Sequence, residues 1–142
     1  MNTLQISIVA EPTPRAGGPK ITEASSAAKM FDTVRDINQE AFVVASLDGQ
    51  NKVIGNPRVI TLGLLNSNQV HPREVFAPAL MDRAASIIVA HNHPSGTLEA
   101  SPEDVALTDR LARAGKLLGI PLLDHIIMTR DSHLSMKQAG YL

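Results

Sequence analysis

The spacing of apolar positions changes period several times along the chain. From Ser25 to about Ile37, Ala28, Phe31, Val34 and Arg35 fall at helical spacing, which predicts a helix capped by Ser25 or Ser26. The run Ala41-Phe42-Val43-Val44-Ala45-Ser46-Leu47 has strand composition, and Asp48-Gly49 is a hairpin turn signal. Lys52 to Leu65 reads as the return strand, with a bulge or break at Gly55-Asn56-Pro57. His71-Pro72 opens a second helix, whose expected buried face is Val75, Ala79, Leu80 and Ala84. Ser86 to Ala90 is a compact strand ending at His91. The strongest helix runs from Ser101 to Gly119, with Asp104, Leu107, Leu111, Ala114 and Leu118 on one face. Ser101 is its natural N-cap, Pro102 suits the first helical position, and Gly119 ends it. Leu122 to Met128 forms another strand, and a short tail closes the chain. Alternating helices and strands predict an α/β sandwich of two or three layers around a mixed sheet.

Residues 1–24 read as an N-terminal extension ahead of a domain spanning 25–142. Within it, Ile6 to Ala10 has the composition of an edge strand. The stretch Glu11 to Lys20, with three prolines and Gly17-Gly18, reads as an irregular linker. No internal repeat or low-complexity segment interrupts the rest.

Composition narrows the chemistry. At 142 residues the length suits one domain, and 44% hydrophobic against 19% charged residues excludes a disordered chain. The net charge of −1 gives no general polyanion-binding surface, and 3% aromatics with no Trp argues against a base-stacking platform. Cysteine is absent, which removes disulfides, zinc ribbons and thiol catalysis, so a metal must be held by His, Asp or Glu. Met1 to Ala10 lacks the basic and long apolar regions of a secretory leader, and no apolar run approaches the ~20 residues of a membrane helix. A cytoplasmic protein without membrane contact is the expectation.

The informative stretch is His91-Asn92-His93-Pro94-Ser95-Gly96, followed by Ser101-Pro102-Glu103-Asp104. On an extended backbone, residues i and i+2 share a side, so His91 and His93 converge while Asn92 points away. The Pro- and Gly-containing turn then delivers Asp104 in the first turn of the next helix. Two imidazoles and a carboxylate form a zinc set with a fourth position open, and zinc lowers the pKa of its water to about 7. Ser101-Pro102-Glu103-Asp104 is equally a capping-box signature. The Asp104 carboxylate is expected not to cap and ligate easily at once.

His-X-His-Pro followed by Ser-X-X-Asp resembles the JAMM motif of the JAB/MPN metalloprotease superfamily. Val70-His71-Pro72-Arg73-Glu74-Val75-Phe76, Ala90 to Gly96, and Leu118 to Ile127 resemble its bacterial RadC-like branch. The likeness covers about residues 25–142. It implies a JAB/MPN-like, cytidine-deaminase-like α/β sandwich, with one zinc ion per chain held by His91, His93 and Asp104. It also implies that Ser101 hydrogen-bonds the oxyanion of a tetrahedral intermediate. A glutamate just before the first core strand, here Glu40, would deprotonate the attacking water. Spacing alone does not select Glu40, since Glu74, Glu99 and Glu103 lie nearer in sequence.

The resemblance implies a zinc-dependent metalloprotease, a hydrolase of peptide or isopeptide bonds. Its substrate would be a peptide or protein, with ubiquitin-like conjugates among the candidates. The alternative is a nucleic-acid-associated accessory protein, of DNA repair or a mobile element, using the JAB fold as scaffold. Longer RadC-like proteins carry a helix-hairpin-helix module, and 24 residues are too few to hold one. Asn92 is expected to tie down the loop and Ser95-Gly96 to shape the turn, with Ser95 a candidate substrate contact. His125 is expected to be a satisfied, partly buried histidine rather than a ligand, with a supporting role behind a ligand as the rival reading. His71 is expected to open its helix and His133 to lie at the surface.

Overall fold

Seven consecutive buried residues, Ala41–Leu47, make β1 a central strand, with neighbours on both edges. The computed structural model describes residues 18–63 and 70–142. The expected strand at Ile6–Ala10 lies outside these residues. So do most of the Glu11–Lys20 linker and the last two residues of the Lys52–Leu65 strand.

β1 pairs antiparallel with β2, Val53–Leu62, on one side and with β3, Ser86–Asn92, on the other. β3 pairs parallel with β4, Leu122–Met128, which pairs antiparallel with β5, His133–Ser135. The resulting mixed sheet has the order β2-β1-β3-β4-β5. The parallel pair needs a crossover, and the helix α3, Pro102–Leu118, supplies it. The expected bulge is present: Val44 pairs with Arg58 but Ser46 with Ile54, so Gly55, Asn56 and Pro57 bow out. Gly55 takes a left-handed φ of 68° there, which suits glycine.

Side chains on the two faces of the sheet build two cores. Val43, Ala45, Ile88, Ala90, Ile126 and Met128 pack beneath α1, Ala24–Met30. Phe42, Val44, Ile87 and Val89 pack beneath α3 and α2, Pro72–Met81. His91 continues the second face and Asn92 the first, by strand alternation. Lys20 bridges to Lys52 and Ile21 joins the first core, so packing into the domain begins ahead of Ser25.

Several expectations need correction. The first helix stops at Met30 rather than near Ile37, and a 3₁₀ turn, Asp32–Val34, follows. Three residues per turn bring Phe31 and Val34 onto one side, and both are buried. Its cap is Glu23, not Ser25 or Ser26, although Ser26 closes the box from the third position. In α2 the buried residues are Val75, Phe76 and Ala79, while Leu80 is 54% exposed. In α3 they are Leu107, Thr108, Leu111 and Gly115, and Leu118 turns outward. A Cβ on Gly115 would lie 2.4 Å from the Ile120 carbonyl oxygen and 3.2 Å from the Phe76 ring. The bare glycine lets α3 approach there, which sets the face. Finally, the closing tail contains β5, pinned where Ser135 donates to the buried Asp124 carboxylate at 2.6 Å.

Candidate metal centre

The end of β3 and the first turn of α3 meet at one mouth of the sheet. His91 is buried, held in register between Phe42 of β1 and Ile127 of β4. The Phe42 ring lies nearly parallel to its imidazole, at 14° and a centroid distance of 6.2 Å. His93 follows two residues later on the same side, its backbone N–H tied to the Met128 carbonyl at 2.8 Å. Asp104 arrives at the third position of α3. The His91 and His93 Nε2 atoms are 2.8 Å apart. Asp104 Oδ1 is 3.2 Å from His91 Nε2, and Oδ2 is 3.3 Å from His93 Nε2.

This donor set fits a divalent ion. Among the described residues, His91, His93 and Asp104 are the group whose ligand atoms all lie within 4.8 Å of one another. Nitrogen and oxygen donors around a tetrahedral zinc stand roughly 3.3 Å apart, close to the separations here. His93 Nδ1 lies 2.7 Å from the Thr97 carbonyl oxygen, which can only accept. The ring proton therefore sits on Nδ1, and the bare Nε2 faces the carboxylate and the second imidazole. Such converging acceptors need a proton or a cation between them.

The electrostatics agree. Burial alone would raise the Asp104 carboxyl, but the His91 and His93 imidazoles hold it well below the usual carboxylate range. The Asp104 contact raises the His93 pKa against the opposing effect of burial, with Glu40 adding a smaller push. Burial drives His125 in the other direction, well below the ordinary histidine value, and the neighbouring His91 adds to that.

The capping box and the metal group share Asp104. Ser101 Oγ accepts from the Asp104 N–H at 3.0 Å, and Asp104 Oδ2 accepts from the Ser101 N–H at 2.9 Å. Oδ1 remains directed at His91. Oδ2 also lies 3.3 Å from His93 Nε2, so the capping box does not turn the carboxylate away from the two imidazoles.

A cavity of about 420 Å³ opens over the three candidate ligands, lined also by Glu40, Ser101, Glu99, Glu103, Phe42, Val70, Leu107, Ser95 and Thr97. Glu40, half-buried, stands immediately before β1. Glu74 lies elsewhere, on a second cavity with Arg58 and Met81. His71 is the N-cap residue of α2, as expected, whereas His133, expected at the surface, is half-buried on β5.

Asn92 holds the segment that carries Glu40. Its Oδ1 accepts from the Ala41 N–H at 2.7 Å, and its Nδ2 donates to the Ile37 and Gln39 carbonyls at 2.9 and 3.0 Å. Asn92 is structural, as expected, but the segment it ties down is the one before β1 rather than the loop that follows His93. His125 is fully buried, and its Nε2 meets His91 Nδ1 at 2.6 Å, so it sits directly behind a candidate ligand. Its other nitrogen meets Thr108 Oγ1 at 2.7 Å. Thr108 escaped the sequence reading. Its position four residues after Asp104, one helical turn along, was the available signal.

Residues 21–141 match the model of a family described as the RadC-like JAB domain. A UPF0758 protein of Methanospirillum hungatei is 51% identical over 126 residues, 87% of this chain and 55% of that protein. Relatives of the same name from Clostridium perfringens and Methanosarcina mazei are 44% and 40% identical. They are aligned over 87% and 96% of this chain, and over 54% and 57% of their own lengths. The chain spans about half the length of these relatives. No helix among the described residues is long and apolar enough to cross a membrane. The matched segment takes in the three α-helices and five strands of the described residues and the three converging candidate ligands, and the chain belongs to the RadC-like JAB family.

Proposed function

We propose that the domain is a zinc-dependent hydrolase of peptide or isopeptide bonds. One observation carries the reading: two imidazole nitrogens and a carboxylate converge within 4.8 Å at the floor of a cavity that Glu40 also lines. A zinc ion held by His91, His93 and Asp104 would supply a Lewis acid for the scissile carbonyl and make hydroxide available at neutral pH. Glu40 takes a proton from the attacking water at its carboxylate and returns it to the leaving amine nitrogen. The Ser101 hydroxyl accepts from the Asp104 N–H and keeps its own proton to donate to the carbonyl oxygen as that atom gains charge. Phe42, Val70 and Leu107 give the cavity an apolar wall that limits water around the bond.

A peptide or protein fits this cavity better than a nucleic acid. Among the described residues the lining includes Glu40, Glu99, Glu103 and Asp104 and no lysine or arginine, which opposes a phosphate backbone at that mouth. Ubiquitin-like conjugates, the substrates of the wider superfamily, are one candidate within that class.

The test is metal content and hydrolysis, measured on wild type, His93→Ala and Glu40→Gln. The expected result is about one zinc per chain in wild type, lost in His93→Ala, and retained in Glu40→Gln with hydrolysis of peptide or isopeptide substrates abolished. Wild type that takes up no zinc at neutral pH overturns the metal reading. Unchanged hydrolysis in Glu40→Gln removes Glu40 from its role.

A further inference from the structure

His125 is a fully buried polar side chain that the proposed reaction does not use. Its ring centroid lies 4.7 Å from that of His91, and the edge of Phe42 closes the other side at 5.6 Å. It sits on β4, opposite Val89 of β3, and the parallel register aims it at the back of His91.

The hydrogen bonds of Thr108 favour one order of donors and acceptors through this region. Thr108 Oγ1 lies 2.7 Å from the Asp104 carbonyl oxygen, which can only accept, so the hydroxyl proton goes there. The same Oγ1 lies 2.7 Å from His125 Nδ1 and must accept from it, so the His125 proton is on Nδ1. His125 Nε2 is then a bare acceptor. His91 Nδ1, 2.6 Å away, must donate to it. That leaves His91 Nε2 without a proton and facing His93 and Asp104. The reverse order turns every bond around. It leaves Thr108 Oγ1 and the Asp104 carbonyl oxygen 2.7 Å apart with no proton between them, and puts a proton on His91 Nε2.

We propose that Thr108 and His125 are positioning residues that fix His91 as its Nδ1–H tautomer and so present its Nε2 lone pair to the metal. The role in metal binding rests on the zinc reading above. The tautomer itself does not. The second nitrogen of a ligating histidine sets which nitrogen binds, and here that nitrogen is set by a neutral relay rather than a carboxylate. The relay also closes on itself. Thr108 is bonded to the backbone of Asp104, whose Oδ1 faces His91, so two ligands from different elements are oriented by one chain of bonds.

The experiment uses the full chain as wild type, Thr108→Val, which keeps the shape without the hydroxyl, and Thr108→Ser, which keeps the hydroxyl. Two quantities are read: the protonated nitrogen of His125 by ¹⁵N NMR of the metal-free protein, and zinc affinity by competition with a chromophoric chelator. The expected result is His125 as Nδ1–H in wild type and Thr108→Ser, a shift toward Nε2–H in Thr108→Val, and zinc affinity about 10–100-fold weaker in Thr108→Val alone. His125 found as Nε2–H in wild type overturns the relay without any variant being needed. So does a Thr108→Val protein with wild-type tautomer and wild-type affinity. A wild type that binds no zinc overturns the metal reading instead, and the NMR result still decides the tautomer.

Discussion

Asn92 stands between the two candidate ligand histidines but faces the opposite side of the sheet, and its replacement by aspartate isolates what that side contributes. The amide is 1% exposed and makes three hydrogen bonds to the segment before β1. Asn92→Asp preserves shape and the acceptor for the Ala41 N–H. It removes both donors and sets a carboxylate oxygen against the Ile37 and Gln39 carbonyls, at the former 2.9 and 3.0 Å. Two net hydrogen bonds at about 1 kcal/mol each, with a further ~1 kcal/mol for the half-buried Ile37 carbonyl left unpaired, give a loss of about 3 kcal/mol. In a chain of this length that lowers Tm by roughly 6–12 °C.

The sign of the pH dependence follows. Burial against two carbonyls raises the introduced carboxyl's folded pKa above its unfolded value of about 3.9. The folded state then binds the extra proton more readily, so the defect is full near neutral pH and shrinks as pH falls through the folded pKa. Calorimetric melts of wild type and variant between about pH 4.5 and pH 7.5 check this. Hydrolysis falls as well, because Glu40 sits between the two gripped positions, Gln39 and Ala41, while zinc content stays near that of wild type. A variant that melts with wild type at pH 7, or a gap that ignores pH, refutes the clamp.

Three further outcomes are expected. Free zinc at about 100 times its Kd adds roughly 2.7 kcal/mol to the stability of wild type, a rise in Tm of about 5–10 °C, reversed by a chelator and absent in His93→Ala. Gly115→Ala lowers the urea midpoint despite a helix-propensity gain of about 1 kcal/mol, because the new Cβ meets the Ile120 carbonyl oxygen at 2.4 Å and overpacking costs about 1–3 kcal/mol; an unchanged midpoint shows that α3 can shift there freely. In zinc-free buffer, stability falls as pH drops below about 6.5, since the unfolded His125 takes a proton that its buried form refuses. It also falls as pH rises through the elevated His93 pKa, where the pairing with Asp104 is lost, so melts peak between those arms and a flat profile contradicts both.

What was legible in the sequence was local. β1 and β4 have the expected limits because each is a short apolar run bounded by turn residues. α3 begins after Ser101 and ends at Gly119, whose φ of 73° is the left-handed value glycine accepts readily. The convergence of His91 and His93 follows from strand alternation alone. The misjudged features depend on distant partners. Leu80 and Leu118 have helical spacing, but the approach of α3 at Gly115 and the burial of Phe76 decided which face turned inward. β5 has three residues, too few for a pattern, and is held by Asp124 of β4. His125 lies 34 residues from His91 and Thr108 lies 17 from His125, so their meeting is a product of the parallel β3–β4 register and the crossover helix.

The double use of Asp104 leads to a last prediction, in which cap and ligand are pulled apart. Its charge sits at the N-terminus of α3, where the helix dipole favours an anion, and both imidazoles face it. Asp104→Asn keeps an oxygen for the Ser101 N–H and so retains that half of the cap, but it removes the charge that a divalent ion requires of this set. Ser101→Ala does the opposite: it strips the acceptor from the Asp104 N–H, at a cost of about 1 kcal/mol, and leaves all three candidate ligands in place. Zinc titration and urea unfolding, run on both proteins, should cross. The asparagine variant loses zinc and, compared above the elevated His93 pKa where the charge pair is already gone, holds most of its metal-free stability, and the alanine variant binds zinc but unfolds earlier. If both properties fall together in each variant, the two uses of the carboxylate are not separable. Capping and ligation would then be one coupled interaction rather than two that share a side chain.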